Sequence, residues 1–470
     1  MSNTIRLDVY VCDGYNNFRK ETSLTSEQSL EWVRKDFPAL ENYHNGSAPV
    51  YFDNACNTLV PRQVIEALCE YYYDFPACGE GRSRHRFAAE VTDRIDGNPD
   101  RGMKGSRHLV KEFLNASSDK EIIFTLNTSH GVNIVALGTQ FKPGDIVLHT
   151  DKEHNSNLIP WLRLRKKGII RTDHVDTTGD QELDLDLLES KLKSGKVRLV
   201  SMGFTSNLTG YTVPAKEIVR LAHRYGAKVL LDGAQTIPHQ AVDVKELDVD
   251  FLAFSLHKMC GPRGVGVLYG KAEYLGSATC EEDESEDVVL PTMLGGDTIY
   301  DTTYEEYSLL QPPERFEVGL QDYPGQIAAG AAVEYLQSIG LENIRAQEEK
   351  LNTYLSGKLM ERYGDLGWFR ILGPKDPAKR SGILSFEVKR PNANGIAEEL
   401  SEKKNIMIRD GQFCVHSFLN KEYGVGWSGP QLPNEQRMMY RISFYFYNTL
   451  EECDIFLDTL QEVFEERFYI

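Results

Sequence analysis

Two stretches carry residue types that could do chemistry. Lys228-Val-Leu-Leu-Asp-Gly-Ala-Gln235 sets a carboxylate, Asp232, just past an apolar run. Phe254-Ser-Leu-His-Lys-Met-Cys-Gly-Pro262 sets Ser255, His257 and Lys258 past the next one. A lysine at the end of a buried strand is costly unless it is paired or neutralised. A lysine with lowered proton affinity is what Schiff-base chemistry needs. A carboxylate beside it could hold the protonated ring nitrogen of pyridoxal phosphate (PLP) and keep that ring an electron sink. Taken singly, Asp232 could cap a turn and Lys258 could reach the surface along its apolar stem. The pair, with Gly, Ser and His around it, points to PLP.

The elements that must position these residues follow a regular alternation. Strand-like runs lie at 121–125, 145–149, 169–175, 197–201, 228–231, 251–254 and 264–268. Helical patterns fall between them at 131–141, 158–167, 185–193 and 215–225. Short Val/Ile/Leu-rich runs alternating with amphipathic helices predict an α/β fold, its mostly parallel seven-stranded sheet sandwiched by helices. Such sheets take ligands at the carboxyl ends of their strands. After about residue 315 the pattern changes. A long helix is predicted from Gly325 through Leu341 into Tyr354, with strand-like runs at 382–386 and 438–446 and a closing helix at 450–468. The organisation expected is an N-terminal arm at 1–29, a large cofactor domain at 30–315 whose first part contributes to the small domain, and a small α+β domain at 316–470.

Composition excludes several function classes. The 470 residues hold 52 basic and 70 acidic side chains, a net charge of −18, which argues against nucleic-acid binding through a broad basic face. No apolar run approaches the ~18 residues of a membrane span. The first residues show no basic segment followed by an apolar core, so no secretory leader is expected, and the protein is read as cytoplasmic. The 8 cysteines form no CxxC pair, so reduced thiols are expected and no metal site. Cys280-Glu-Glu-Asp-Glu-Ser-Glu-Asp287 holds 6 acidic residues and reads as an exposed loop carrying a third of the net charge.

Further motifs share a pattern. They are Asp36-Phe-Pro-Ala-Leu40, Val50-Tyr-Phe-Asp-Asn-Ala55, Glu153-His-Asn-Ser-Asn157, Thr205-Ser-Asn207, Arg315-Phe-Glu-Val-Gly319, Arg409-Asp-Gly-Gln-Phe-Cys414 and Arg441-Ile-Ser-Phe-Tyr-Phe-Tyr-Asn-Thr449. With the two stretches above, they make the chain resemble the class V aminotransferase family of fold-type I PLP enzymes from about Leu30 to Glu466. Within it, the text is most similar to the cysteine desulfurase and selenocysteine lyase branch, of the group-II type. The resemblance implies Lys258 as the Schiff-base lysine that also moves the Cα proton. It implies Asp232 on the pyridinium nitrogen, Gln235 on the ring hydroxyl and His154 on the ring face. Thr128, Ser129, Ser255 and His257 would hold the phosphate. Thr128 lies between a predicted strand and helix, where free backbone N–H groups and the helix dipole favour an anion. Thr298 is implied as a phosphate contact from a partner subunit, Asn207 and Arg441 as the substrate-carboxylate pair, and His85 as an entrance histidine. Cys414 is implied as the nucleophile that takes substrate sulfur as a persulfide, alanine being released, with Arg409 and His416 as nearby basic residues. The other cysteines read as structural or incidental, Cys260 being packed beside the cofactor. The resemblance also implies a small sulfur or selenium amino-acid substrate, a homodimer and a sulfur-acceptor protein.

The text departs from that pattern on the substrate side. The stretch between Cys414 and Arg441 is longer and holds Trp427-Ser-Gly-Pro430. Leu320-Gln-Asp322 follows the Arg-Phe-Glu motif, His130 stands where the desulfurases have an acid, and a Gly-rich insertion lies at 96–106. Two other readings therefore stay open. One is another class V reaction, such as C–S β-elimination, epimerisation or transamination, with Cys414 a bystander. The other is a non-catalytic member of the fold.

Overall fold

The computed structural model of the chain describes residues 30–179, 181–281, 284–422 and 438–469. The arm at 1–29, Cys12, Trp427-Ser-Gly-Pro430 and residues 282–283 lie outside the described residues.

The apolar runs form one sheet of seven strands: β1 (Ile122–Thr125), β2 (Ile146–Thr150), β3 (Arg171–Val175), β4 (Val197–Gly203), β5 (Lys228–Asp232), β6 (Phe251–Ser255) and β7 (Gly266–Gly270). Their order across the sheet is β1-β7-β6-β5-β4-β2-β3. Strands β2 to β6 pair in parallel, and β7 runs antiparallel between β1 and β6. Alternate residues of a strand face opposite sides, and both sides here are apolar. Leu148, Val200, Leu231 and Leu252 join one core with Val110, Ile218 and Val333 from helices. Val147, Leu199, Leu230 and Ala253 join another with Val135 and Trp161. Being covered on both faces makes the other six strands read as near-continuous hydrophobic text, whereas β3, at the edge, is polar and partly exposed.

A second sheet lies in the C-terminal part. It contains β8 (Phe369–Leu372), β9 (Ile383–Val388), β10 (Arg409–Asp410) and β11 (Met438–Ser443), in the antiparallel order β8-β9-β11-β10. Leu351 and Leu355 of helix 341–363 and Phe456 and Phe464 of helix 450–468 pack on its buried face. Val50–Tyr51 pairs in parallel with Ile406–Met407. An early segment thus crosses to the late sheet, and it leaves residues 53–58 above the carboxyl ends of the large sheet.

Some expectations differ from the fold. The helix predicted from Gly325 into Tyr354 is two helices, Tyr323–Ile339 and Leu341–Tyr363. Gly340 separates them with φ +84°, a left-handed conformation that a residue without Cβ adopts freely. The apolar pattern runs through that break, which hides it in the text. The strand read at 438–446 ends at Ser443, and the next four residues leave the sheet. The acidic stretch is only partly exposed: Glu284 folds inward to accept from Arg315 at 2.7 Å, its side chain 6% exposed. Helices 62–74, 86–96 and 106–113 are amphipathic but were not among the predicted elements.

The motif at 315–319 is a structural brace. Arg107, on helix 106–113, makes two hydrogen bonds to the Glu317 carboxylate, at 2.7 and 3.0 Å. The Phe124 amide of β1 donates to the same carboxylate at 2.6 Å. This buried pair fixes the strand that feeds the 126–128 turn.

Candidate active site

The carboxyl ends of β1, β2, β4, β5 and β6 converge on one place. Thr128 opens helix 128–138 directly after β1. Its amide donates to the Ser255 hydroxyl at 2.7 Å, and the two hydroxyls lie 2.6 Å apart. Ser255 ends β6, so the phosphate candidates from two strands are already joined. That closeness requires Gly266 on β7. A Cβ there would come within 2.6 Å of Asn127 Cα and 2.8 Å of the Phe254 carbonyl. Ser129 shares a 2.6 Å contact with Ser156 on the neighbouring helix.

Asp232 closes β5 and is buried, with Oδ1 accepting from the Ala234 amide at 3.0 Å. Lys258 follows β6 in a short 3-10 turn. Burial pulls the Lys258 amine below its usual range, opposed chiefly by Asp232. Burial pushes the Asp232 carboxyl up, opposed chiefly by Lys258. Each is the main charge acting on the other, yet among the described residues they form no direct ion pair. His154 caps helix 155–166 by accepting from the Ser156 amide at 3.1 Å. Burial, then the positive charges of Lys258, Arg441 and Arg409, pull it down to about 3. His257 is pulled down to about 4, by burial first and then by Lys258 and Arg263. Both imidazoles are therefore neutral near pH 7.

The other wall comes from the late sheet. Arg441, on β11, is 2% exposed. It donates to the Asn207 carbonyl at 3.1 Å and to Asp53 at 3.2 Å, and its Nε has no partner among the described residues. Cys414 follows β10 on a turn in which Phe413 and Cys414 have φ of +48° and +60°. Two consecutive non-glycine residues in the left-handed region store strain and persist only when tied down. The ties come from the cofactor wall: the Asn207 side-chain amide donates to the Phe413 carbonyl at 2.7 Å, and the Asn155 amide to the Cys414 carbonyl at 2.8 Å. His416 lies against Asn155 at 2.9 Å.

The cluster fits PLP. Gln235 donates to the Ala55 carbonyl at 2.7 Å, while its buried Oε1 has no partner among the described residues. The Lys258 amine likewise has no hydrogen bond there. A free buried acceptor, a free amine and a buried carboxylate surround the space, and hydroxyls gather at a helix N-terminus beside it. That is the donor set of a phosphorylated pyridine.

Of the residues singled out in the sequence, Lys258, Asp232, Gln235, His154, Thr128, Ser129, Ser255, His257, Asn207, Arg441 and Cys414 lie around this space. Among the described residues, no hydrogen bond or ion pair ties the other two to it. His85 is exposed and caps helix 86–96, accepting from the Ala88 amide at 3.3 Å. Thr298 is fully buried in its own turn, its hydroxyl donating to the Gly295 carbonyl at 2.9 Å. Cys260 is buried, and its amide donates to the Thr58 hydroxyl at 2.8 Å.

Three more residues belong to the site: Glu153 and Asp53 stand in the motifs above without a role, and Cys56 is read there as structural or incidental. Glu153 is buried beside His154, and burial pushes its carboxyl up to about 7. It accepts from Thr150, from Asn157 at 2.7 Å and from the Gly203 amide at 2.9 Å, holding the ends of β2 and β4 together. Asp53 faces Arg441, and Cys56 accepts a hydrogen bond from Arg409 Nη1 at 2.8 Å. A polar residue at a strand-to-helix junction was a usable signal for Glu153; Asp53 and Cys56 reach the site only through long-range pairing.

Comparison with known proteins agrees with this geometry. Residues 50–456 match the family model described as aminotransferase class-V. A probable cysteine desulfurase of Pyrococcus abyssi is 37% identical over 92% of this chain and 97% of its own. The apo structure of cysteine desulfurase from Thermococcus onnurineus superposes with a TM-score of 0.81 at 34% identity, covering 94% of this chain and 100% of that one. The cysteine desulfurase CsdA (S-sulfonic acid) from Escherichia coli gives a TM-score of 0.77 at 28% identity, covering 93% and 98%.

Proposed function

The chain belongs to the aminotransferase class-V family, and on that premise we propose that it is a PLP-dependent cysteine desulfurase. It takes L-cysteine or a closely related sulfur or selenium amino acid, moves the sulfur to Cys414 and releases alanine. The observation that carries this reading is the fastening of the Cys414 turn to Asn155, beside His154, and to Asn207, over the Lys258 pocket.

Bound there, PLP would supply an electron sink that makes the substrate Cα proton removable. Asp232, kept out of water, would hold the charged ring nitrogen. Thr128, Ser129, Ser255 and His257 would hold the phosphate, and Gln235 the ring hydroxyl. Neutral His154 would hold the ring without adding positive charge. Arg441 and Asn207 would orient the substrate carboxylate, a fork suited to two parallel hydrogen bonds. The Lys258 amine, with its affinity for protons lowered by burial, would carry the proton at Cα. The Cys414 thiolate would attack the substrate sulfur. A new S–S bond forms as the C–S bond breaks, and the carbon fragment takes protons to become alanine.

The working unit is read as a homodimer. Exposed Leu126 adjoins the Thr128 turn, and exposed Met293, Leu294 and Leu320 flank Thr298. Joining these apolar surfaces would set the Gly295–Thr298 turn against the second copy, and Thr298, buried in that turn, would have to leave the Gly295 carbonyl to reach the phosphate there. A separate acceptor protein would remove the sulfur. A cytoplasmic location suits this chemistry, because thiols stay reduced there. The seven described cysteines are all free, and among the described residues no helix is long and apolar enough to cross a membrane.

The test is product analysis of purified holoenzyme given L-cysteine. Equal amounts of alanine and protein-bound or released sulfur are expected. Pyruvate and ammonia without alanine would contradict the assignment and favour β-elimination.

A further inference from the structure

Cys414 is not the sole thiol at this site. Cys56 lies on a turn whose neighbours are anchored to the cofactor wall. Gln235 donates to the Ala55 carbonyl at 2.7 Å, and the Thr58 amide donates to the His257 carbonyl at 2.9 Å. Between those anchors, Cys56 Sγ accepts from Arg409 Nη1 at 2.8 Å. Arg409 opens β10, the strand that leads into the Cys414 turn. The guanidinium therefore connects one thiol to the backbone that carries the other.

The surroundings are those of a reaction site. Asp53 lies 3.9 Å from Arg409 and 3.2 Å from Arg441. Arg441 is 2% exposed and leaves its Nε without a partner among the described residues. The unpartnered Lys258 amine lies in the field of both sulfurs, Cys56 and Cys414. Three cationic groups therefore act on Cys56: Arg409 through its hydrogen bond, and Lys258 and Arg441 at longer range.

We propose that Cys56 is a second sulfur-carrying thiol, held by Arg409 to accept the sulfur that Cys414 first takes. The step rests on the desulfurase reading above. The Cys56 thiolate attacks the outer sulfur of the Cys414 persulfide. A new S–S bond forms on Cys56, the S–S bond on Cys414 breaks, and its electron pair leaves with the Cys414 thiolate. The proton on the outer sulfur travels with it. No oxidant or reductant is consumed, and Cys414 is free for another substrate while Cys56 holds the sulfur.

The experiment uses full-length holoenzyme, 35S-labelled L-cysteine, no reductant, an alkylating quench and peptide mapping. In the wild type, label is expected on both the Cys56 and the Cys414 peptides. In Cys414→Ser, both peptides lose it, because Cys56 is fed by Cys414. In Cys56→Ser, label stays on Cys414 alone. In Arg409→Gln, the Cys56 share falls about tenfold, on the scale of one lost charge-assisted hydrogen bond, while Cys414 remains labelled. Wild-type label confined to Cys414 overturns the relay, as does full label on Cys56 in Cys414→Ser. Label on neither cysteine, with no alanine formed, overturns the desulfurase reading itself. The wild-type map needs no variant, so it stands even if a substitution fails to fold.

Discussion

Lys258, Asp232 and Ser255 follow or end strands buried on both faces, whereas Cys414 stands on a left-handed turn fastened by two hydrogen bonds. The cofactor wall is over-determined. Its groups are set by strand ends and a packed core, Thr128 also by a helix N-terminus, and a buried ion pair braces the strand that leads to Thr128. The sulfur wall depends on a few ties that reach across to that same wall, and on residues 53–58, which arrive from far away in sequence. The difference suits the chemistry: a cofactor needs a fixed bed, while a thiol that takes and passes on sulfur must be able to move.

If that contrast is right, damage to the two walls should read out differently. The largest effect is expected from Lys258→Ala. Alanine formation should fall by about 10³-fold or more, the scale of losing a positioned proton carrier, and the visible absorbance of the cofactor–lysine linkage should vanish. Retention of a tenth of the activity would contradict the role. Glu317→Ala comes next, far from the chemistry. It removes the buried carboxylate that Arg107 and the Phe124 amide share and leaves the guanidinium only Asp96, at 3.1 Å, and the Ile122 carbonyl, so denaturant titration should show a loss of about 3 kcal/mol, together with weaker cofactor retention. A loss below ~1 kcal/mol would mean that the brace is dispensable.

Asn207→Ala should behave differently. Removing the tie to Phe413 should cost about 1 kcal/mol of stability and speed hydrogen exchange in the Cys414 turn, with cofactor content unchanged. Loss of cofactor instead would place Asn207 in the fixed bed. The most gradual effect is a pH slope. Folded His154 sits at about 3 against an ordinary 6.5. Between those values the unfolded chain holds the extra proton, so stability falls as pH drops through the window, by roughly 1.4 kcal/mol per pH unit at most. Above that window the contribution is constant. His257, at about 4, adds a slope of the same sign. His154→Gln should flatten the curve between pH 4 and 6 (roughly the span where the slope is full), and an unchanged curve would contradict its burial as a neutral ring.

The same contrast explains what could be read from the text. Asp232, Ser255 and Lys258 follow apolar runs, and a sheet covered on both faces advertises its strand ends. Six of the seven strands were legible for that reason; β3, a polar edge strand, is buried only at Val175. Thr128 was visible as a residue between strand and helix, although the helix starts earlier than its apolar period does. Gly340 broke a predicted helix because one φ angle leaves no trace in a periodic pattern. The sulfur wall was legible at Cys414, Arg441, Arg409 and His416, through resemblance. Cys56, Asp53 and the Arg409 hydrogen bond depend on the pairing of Val50–Tyr51 with Ile406–Met407, a contact between distant segments that no local pattern encodes. Glu317 was visible as part of a motif, but its work as a brace appears only when Arg107 and Phe124 close on it.

The most direct test of the whole account is alanine formation by holo Cys414→Ser given L-cysteine and an excess of reductant. The account predicts that the variant keeps its cofactor absorbance, gains no protein-bound sulfur and forms alanine at a small fraction of the wild-type rate. Alanine released at the wild-type rate would show that the thiol on the turn takes no part in the reaction, and would contradict the account.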